Sequence, residues 1–269
     1  MTYAQFQQPP AAPYPYRPYV PARRRAQVAV VLLIVGAVIS FLTIPSHILD
    51  MYVSPFNSSQ DVADNPGGFV ALMVTGALGL ATVVVYIATA VAFLMWLYRA
   101  SNNVAAFGQN TQHSSGWAVG SFFVPIMNLF VPYQAAKDIW QKSEPDAQTF
   151  SFGVAVPGFF AAWWGFWIAS NVVSNIYIRM TLADAPQDAS AFVGILSEIL
   201  SIAAAGFAIK VVRDIDRRQE ERSRNLPQYT GPMPPPPPVF QATPTAPLAG
   251  SPTAATTPLD QSNSATTGA

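Results

Sequence analysis

Apolar runs alternate with polar segments through the middle of the chain, and polar, proline-rich sequence lies at both ends. The first run, residues 26–44, carries no charge and would rise about 29 Å as a helix, enough to cross the hydrocarbon core of a bilayer. Three later runs have a similar apolar character. We therefore predict transmembrane helices at about residues 26–45, 69–98, 154–178 and 191–212.

The stretch at residues 115–143 differs from these runs because its apolar part is short and interrupted. The part from Trp117 to Val131 would rise only about 22 Å as a helix, and it contains Pro125, which bends or breaks a helix. The residues after Pro132 form an amphipathic segment. We predict a re-entrant or interfacial helical element on the cytoplasmic side, with a fifth crossing as the alternative.

The positions of basic residues orient the chain, because short cytoplasmic loops of membrane proteins are enriched in Lys and Arg. Three arginines, Arg23 to Arg25, precede the first run, and Arg99 follows the second. The loop at 46–67 contains aspartates and no Lys or Arg, whereas the segment after the fourth run is rich in arginine. These positions predict that both termini are cytoplasmic.

The chain therefore divides into a membrane domain and two tails. Residues 1–25 are rich in Pro and Tyr, and residues 225–269 are rich in Pro, Thr and Ala, so we expect both tails to be disordered. The membrane domain covers 26–224, and its last helix is expected to continue into water until Pro227.

Composition supports an all-α integral membrane protein. Only 10% of the residues are charged and 51% are hydrophobic, and the charged fraction of soluble domains is roughly a quarter. The net charge is zero, which gives no reason to expect nucleic-acid binding, and the absence of cysteine excludes disulfides and thiolate metal sites. No sequence signature of an enzyme, a cofactor site or a metal site is present, so the expected partner is the lipid bilayer.

A first candidate site is a group of polar residues expected near the inner headgroup layer. One hypothesis is a pocket for a lipid phosphate, with Arg99 as a bidentate clamp and Lys137 as a point charge. The alternative is that the basic residues mark topology and the amides satisfy broken backbone near the prolines. The members of this candidate cluster are Arg99, Asn103, Asn128, Gln134, Lys137 and Asp138.

A second candidate is Glu198, the only acidic residue well inside an apolar run. Intramembrane carboxylates are costly and suggest a proton relay or ion site. Its expected partners include Asn171 and Asn175, on a polar stripe of the third predicted helix, and the alternative role is hydrogen-bonded packing between helices. His47 and His113 are expected in loops on opposite sides, where they cannot share a metal ion.

Several motifs resemble a bacterial membrane family described as domain of unknown function 4328. They are "FLMWLYRASNNVAAFG", "SGWAVGSFFVPIMNLFVPYQAAKDIWQKS", "WWGFWIASNVVSNI" and "KVVRDIDRRQEER", and the resemblance covers about residues 27–224. It implies a bacterial origin and this membrane architecture, and it implies no activity. The matching positions are Trp96, Tyr98, Arg99, Asn103, Gly108, Gly116, Trp117, Pro125, Asn128, Pro132, Tyr133, Gln134 and Trp140.

The expected function is that of a non-enzymatic scaffold or adaptor in the bacterial plasma membrane, whose proline-rich tails recruit protein partners. The alternative is a small transporter, channel or lipid-binding protein that uses the broken element and Glu198. Four helices enclose little space, so transport would require an oligomer.

Overall fold

The computed structural model describes residues 18–50, 66–146 and 154–225, and within these ranges all regular structure is helical. The α-helices are α1 (Arg23–Asp50), α2 (Pro66–Ala106), α3 (Ser115–Gly120), α4 (Val131–Lys142), α5 (Phe159–Leu182) and α6 (Gln187–Arg224). Two short 3₁₀ helices, Ser121–Phe123 and Met127–Leu129, lie between α3 and α4.

Three of the described helices, α1, α2 and α6, are long and apolar enough to cross a membrane. Helix α5 has 24 residues. A helix of that length rises about 36 Å, which also suffices by length. It is not among the three described helices that are both long and apolar enough. The described fold thus has three helices suited to a membrane, and the count of four crossings stays a prediction.

The described helices extend beyond the apolar runs from which they were predicted. Helix α1 continues through Pro45 to Asp50, and α2 continues through its polar segment to Ala106. Helix α6 runs to Arg224, which confirms the predicted extension of the last helix. An apolar run marks only the part of a helix that prefers lipid, whereas charged residues of good helix propensity prolong the helix into water.

Consecutive long helices run in opposite directions. This follows from the core, in which the first turns of α1 and α5 pack with the second halves of α2 and α6. Ala26 and Phe160 contribute from helix starts, and Leu97 and Val211 from the second halves of their helices. We name this region the tryptophan end, because it buries Trp96, Trp140, Trp163 and Trp164. The opposite end of the bundle is named the far end, where α1 and α5 finish and α6 begins.

Away from the tryptophan end, the long helices present large apolar side chains outward. Leu80 and Phe192 are each 69% exposed. In water such surfaces would favour aggregation, but hydrocarbon solvates them as well as another helix would. The outward apolar surface therefore suits a lipid environment.

The stretch at 115–143 returns to its starting place, because its two ends are hydrogen bonded to each other. The backbone N–H of Gln112 donates to Asp138 Oδ2 at 2.8 Å, and Lys142 Nζ donates to the carbonyl of Asn110 at 2.5 Å. Helix α4 is the longest helix in the stretch, with 12 residues, which rise only about 18 Å. No described helix in the stretch is long enough to be a fifth crossing.

Candidate functional site

A buried amide junction joins four parts of the chain at the tryptophan end. Asn103 Nδ2 donates to the carbonyl of Val20 at 3.0 Å and to Gln219 Oε1 at 3.2 Å, and Asn103 Oδ1 accepts from the Val20 N–H at 3.4 Å. Gln219 Nε2 donates to the carbonyl of Ala100 at 2.8 Å and to Ser143 Oγ at 3.2 Å. Gln219 is fully buried. Two amide side chains thus connect the segment before α1, helix α2, the residue that follows α4, and α6.

Two arginines of α6 hold the segment that follows α4. Arg222 Nη1 donates to the carbonyls of Lys142 and Glu144 at 2.8 and 2.9 Å. Arg218 pairs with the Glu144 carboxylate and lies over the Trp140 ring at 3.8 Å. Burial lowers the pKa of both guanidinium groups, and the cation–π and carbonyl contacts offset the lost hydration.

The start of the described chain packs along α6. Tyr19 stacks on Phe107, with ring centroids 5.8 Å apart. Burial, followed by the charges of Asp216 and Glu220, raises the pKa of Tyr19 to about 12. Burial also raises the pKa of Asp216 to about 6, with Glu220 adding to the effect and Arg23 opposing it. The residues that lead into α1 are therefore held against the last helix.

A groove lies beside this contact, between the start of α1 and the end of α2. It has a volume of about 540 Å³ and contains no carboxylate. Arg23 reaches Glu220 Oε1 at 3.4 Å, whereas the other arginines of the groove have no acidic partner among the described residues. The groove is lined by Val20, Pro21, Arg23, Arg24, Arg25, Gln27 and Arg99.

The six residues of the first candidate cluster are divided among different contacts. Asn103 belongs to the amide junction, and Arg99 lines the groove, which does not include Lys137. Lys137 does not line the groove with Arg99, and a phosphate pocket formed by these two residues together stays a prediction. Asp138 is buried and pairs with Lys142 at 2.6 Å.

The other two members of this cluster lie apart from these contacts. Gln134 is exposed on α4. Asn128 Oδ1 is buried in the 3₁₀ region and has no hydrogen-bond partner among the described residues. Neither of these side chains lines the groove between the start of α1 and the end of α2.

Glu198 lies near His47 rather than the predicted asparagines. His47 Nε2 is 3.9 Å from Glu198 Oε1, too long for a hydrogen bond but within the range of an ion pair when His47 is protonated. Asn171 and Asn175 instead donate to backbone carbonyls of their own helix at 2.7 and 2.8 Å. The expectation that His47 lies in a loop is wrong, because α1 continues past Pro45 and carries the ring into the bundle.

The His47 ring occupies a space that only glycine leaves open. A Cβ atom placed at Gly194 would lie 2.8 Å from His47 Cε1. The Tyr177 ring meets the imidazole edge-on, with centroids 5.1 Å apart, and His47 Nδ1 is buried with no hydrogen-bond partner in the described chain. Across the described residues, no group of three or more His, Asp or Glu side chains could hold a metal ion.

Gln219 and Arg222 were not among the predicted site residues, although their spacing continues the buried face of α6. Val211, Val212, Ile215, Gln219 and Arg222 follow one another at helical spacing along one face of α6, and all are buried. The apolar stripe of the membrane helix thus continues into polar residues without turning toward solvent. Such a continuation indicates a helix face that remains packed beyond the bilayer.

Comparisons with known proteins identify the family but no individual relative. The family model described as "Domain of unknown function (DUF4328)" matches residues 69–217, more than half of the chain. The matched range includes α2, the returning stretch, α5 and most of α6, and it begins after α1. Among curated proteins and among solved structures, no match to this chain was found. The resemblance in the motifs is thus confirmed, and the chain belongs to the DUF4328 family of domains of unknown function.

Proposed function

We propose that this protein is a non-enzymatic scaffold of the bacterial plasma membrane, whose two proline-rich tails recruit protein partners at the inner face. One observation carries the proposal: the residue that begins α1 contacts the last helix close to its end. Arg23 Nη1 lies 3.4 Å from Glu220 Oε1, and Tyr19 packs along the same helix. Sequence before residue 18 and after residue 225 therefore departs from neighbouring points.

The buried junction supports this role because it fixes the two departure points. Val20 is hydrogen bonded to Asn103, and Asn103 is hydrogen bonded to Gln219. Gln219 lies five residues before Arg224, where α6 ends. Proline-rich ligands bind weakly as single segments, and two held close together gain effective concentration for a partner with two binding sites.

Four crossings with both ends inside form part of the proposal. The tryptophan end carries the basic residues of the α1 start, the α2 end and the α6 end. At the far end, Arg179 lies in the last turn of α5, Asp184 in the short connection, and Asp188 in the first turn of α6. The positive-inside rule places the tryptophan end at the cytoplasm. This arrangement also places both ends of the returning stretch on the inner side.

The test of topology uses the natural absence of cysteine. Gln112→Cys and Asp146→Cys flank the returning stretch, and both positions are exposed. With a membrane-impermeant maleimide, we expect labelling only after cell lysis. Labelling of either variant in intact cells would contradict the inside location, and with it the scaffold.

The test of function compares partners captured by in-cell cross-linking and mass spectrometry. Chains lacking residues 2–17, residues 228–269, or both are compared with the full chain, and a variant with alanines at 234–238 keeps the tail length but removes the proline run. We expect each single deletion to weaken capture and the double deletion to abolish it. An unchanged set of partners after the double deletion would overturn the proposal.

A second candidate function, a small transporter, is favoured by the His47–Glu198 pair. A buried imidazole with one nitrogen unpartnered among the described residues lies beside a carboxylate, and ionisable groups inside a membrane domain often mark ion or proton pathways. The test is proton flux into vesicles that contain the purified protein. Loss of flux in Glu198→Gln, with flux retained in Asn175→Ala, would favour transport. Equal flux in vesicles without protein would exclude it.

A further inference from the structure

The groove between the start of α1 and the end of α2 is unlike the other basic regions of the described chain. Four arginines line it, and no acidic side chain does. Three arginines of α6 at the same end, Arg217, Arg218 and Arg224, pair with carboxylates, and Arg222 donates to two backbone carbonyls. The groove therefore retains a concentrated positive charge.

We propose that this groove binds a phosphate group, carried either by the headgroup of an anionic phospholipid or by a soluble phosphate compound. The guanidinium groups of Arg24, Arg25 and Arg99 provide planar pairs of N–H donors that match phosphate oxygens. Arg99 and Arg25 are half-buried, so an anion between them is shielded in part from water. Binding relieves the mutual repulsion of the guanidinium groups.

The groove is preformed, because the amide junction holds one of its walls. Asn103 bonds both the N–H and the carbonyl of Val20, and Val20 lines the groove. Asn103 lies four residues after Arg99, so both side chains project from the same face of α2. The hydrogen bonds between Asn103 and Val20 thus also position Arg23 to Arg25 opposite Arg99. A preformed site avoids part of the ordering cost of binding.

The position of the groove along the helices favours a lipid headgroup as the source of phosphate. Arg25 immediately precedes the apolar run of α1, and Arg99 immediately follows the apolar run of α2. Both therefore lie where apolar sequence ends, the depth at which headgroup phosphates are found. The groove is lined only by residues between 20 and 27 and by Arg99. Its test therefore uses no residue before 18 or after 225, the segments that the scaffold test deletes.

The test measures lipid binding to the purified full-length protein by native mass spectrometry. The protein in detergent is titrated with phosphatidylglycerol and, separately, with zwitterionic phosphatidylcholine. Arg99→Gln removes one guanidinium group, whereas Arg99→Lys keeps the positive charge but loses the planar pair of N–H donors. The double variant Arg24→Gln/Arg25→Gln removes two other guanidinium groups of the groove. Arg213→Gln is the matched control, since Arg213 is an exposed arginine of α6 without an acidic partner among the described residues.

We expect phosphatidylglycerol to bind more tightly than phosphatidylcholine. Arg99→Gln should weaken phosphatidylglycerol binding about fivefold, since one basic residue contributes about that factor near an anionic lipid. Arg99→Lys should weaken phosphatidylglycerol binding less than Arg99→Gln does, and the double variant should weaken it more. The affinity of Arg213→Gln should stay within about twofold of that of the wild type. Circular dichroism of each variant checks that a loss of binding is not a loss of fold.

A second arm distinguishes the source of phosphate. Inorganic pyrophosphate is titrated by calorimetry into the delipidated protein and its Arg99→Gln variant. Pyrophosphate binding that needs Arg99, without selective lipid binding, assigns the groove to a soluble phosphate compound. Equal binding of both lipids, or equal phosphatidylglycerol binding by Arg99→Gln and Arg213→Gln, overturns the proposal unless pyrophosphate binds in an Arg99-dependent manner.

Discussion

The two ends of the bundle are held together in different ways. The tryptophan end buries large aromatic rings together with a polar junction in which Asn103 and Gln219 satisfy each other and the backbone. The far end has few such contacts, and its helices meet through a close fit of the His47 ring over Gly194. In lipid the hydrophobic effect does not drive helices together, so steric fit decides the far end. Where the helices leave the bilayer, burial and hydrogen bonding decide instead.

The largest effect on this comparison should come from Gln219→Ala. The substitution leaves a cavity and removes the partners of Asn103 Nδ2 and the Ala100 carbonyl, both buried. We expect a loss of about 3 kcal/mol in the free energy of unfolding. The measurement is denaturation in mixed detergent micelles, with the exposed residue of the same helix, Arg213→Ala, as the control. A loss equal to that of the control would show that the junction does not stabilise this end.

A smaller effect, at the far end, is expected for Gly194→Ala. The new methyl group would meet the His47 ring at 2.8 Å, so the ring or α6 must move. Overpacking of this kind costs about 1–3 kcal/mol in the free energy of unfolding. In chains that already carry His47→Ala, adding Gly194→Ala should cost little further stability, because the ring that the methyl group would meet is then absent.

Gly206→Ala is the matched control for the far end, since a Cβ at Gly206 meets nothing within 4 Å. Denaturation in mixed detergent micelles is measured for the wild type and for every variant named for the far end, including His47→Ala alone. If Gly194→Ala and Gly206→Ala were equally stable, the close fit would not hold the far end together.

The sequence predicted the parts of the fold that the bilayer selects by composition and missed those that depend on contacts between distant residues. The apolar runs located the long helices, because hydrocarbon excludes charge along about 20 residues. The pairing of His47 with Glu198 could not be predicted, since it needs α1 to continue past Pro45 and to cross α6 at Gly194.

The members of the candidate cluster at the inner layer take part in separate contacts for a related reason. Depth in the membrane groups residues such as Arg99 and Lys137, but only packing decides which helix faces they share. By contrast, the buried stripe that ends in Gln219 and Arg222 was present in the spacing of α6. Helical period was thus more informative than depth for locating the polar residues that hold the tryptophan end together.

A moderate, pH-dependent effect should come from Asp216 at the tryptophan end. The pKa of this carboxyl is raised from 3.8 to about 6, so the folded protein binds its proton more tightly than the unfolded chain does. The resulting stabilisation is fully present below about pH 4 and is lost as the pH rises through about 6. Asp216 is partly exposed, so screening should reduce the total change to about 1 kcal/mol.

Asp216→Asn should remove this pH dependence and stabilise the protein at pH 7.5 relative to the wild type. Denaturation in mixed micelles at several pH values between 4 and 8 measures the effect. Asp214→Asn is the control, since Asp214 lies on the same helix and pairs with Lys210 at 3.0 Å. Parallel stability curves for the wild type and Asp216→Asn would show that burial of this carboxyl carries no cost.

The smallest effect is expected from Phe123→Ala, which concerns the returning stretch at the tryptophan end. Phe123 is 75% exposed, whereas the neighbouring Phe122 meets the rings of Phe93, Trp164 and Trp167. Phe123→Ala should change the free energy of unfolding in micelles by less than about 0.5 kcal/mol. Phe122→Ala, with the same change in composition, should cost about 3 kcal/mol and is the matched comparison. Equal losses would mean that Phe123 is packed in the protein, and that the stretch does not present it to lipid.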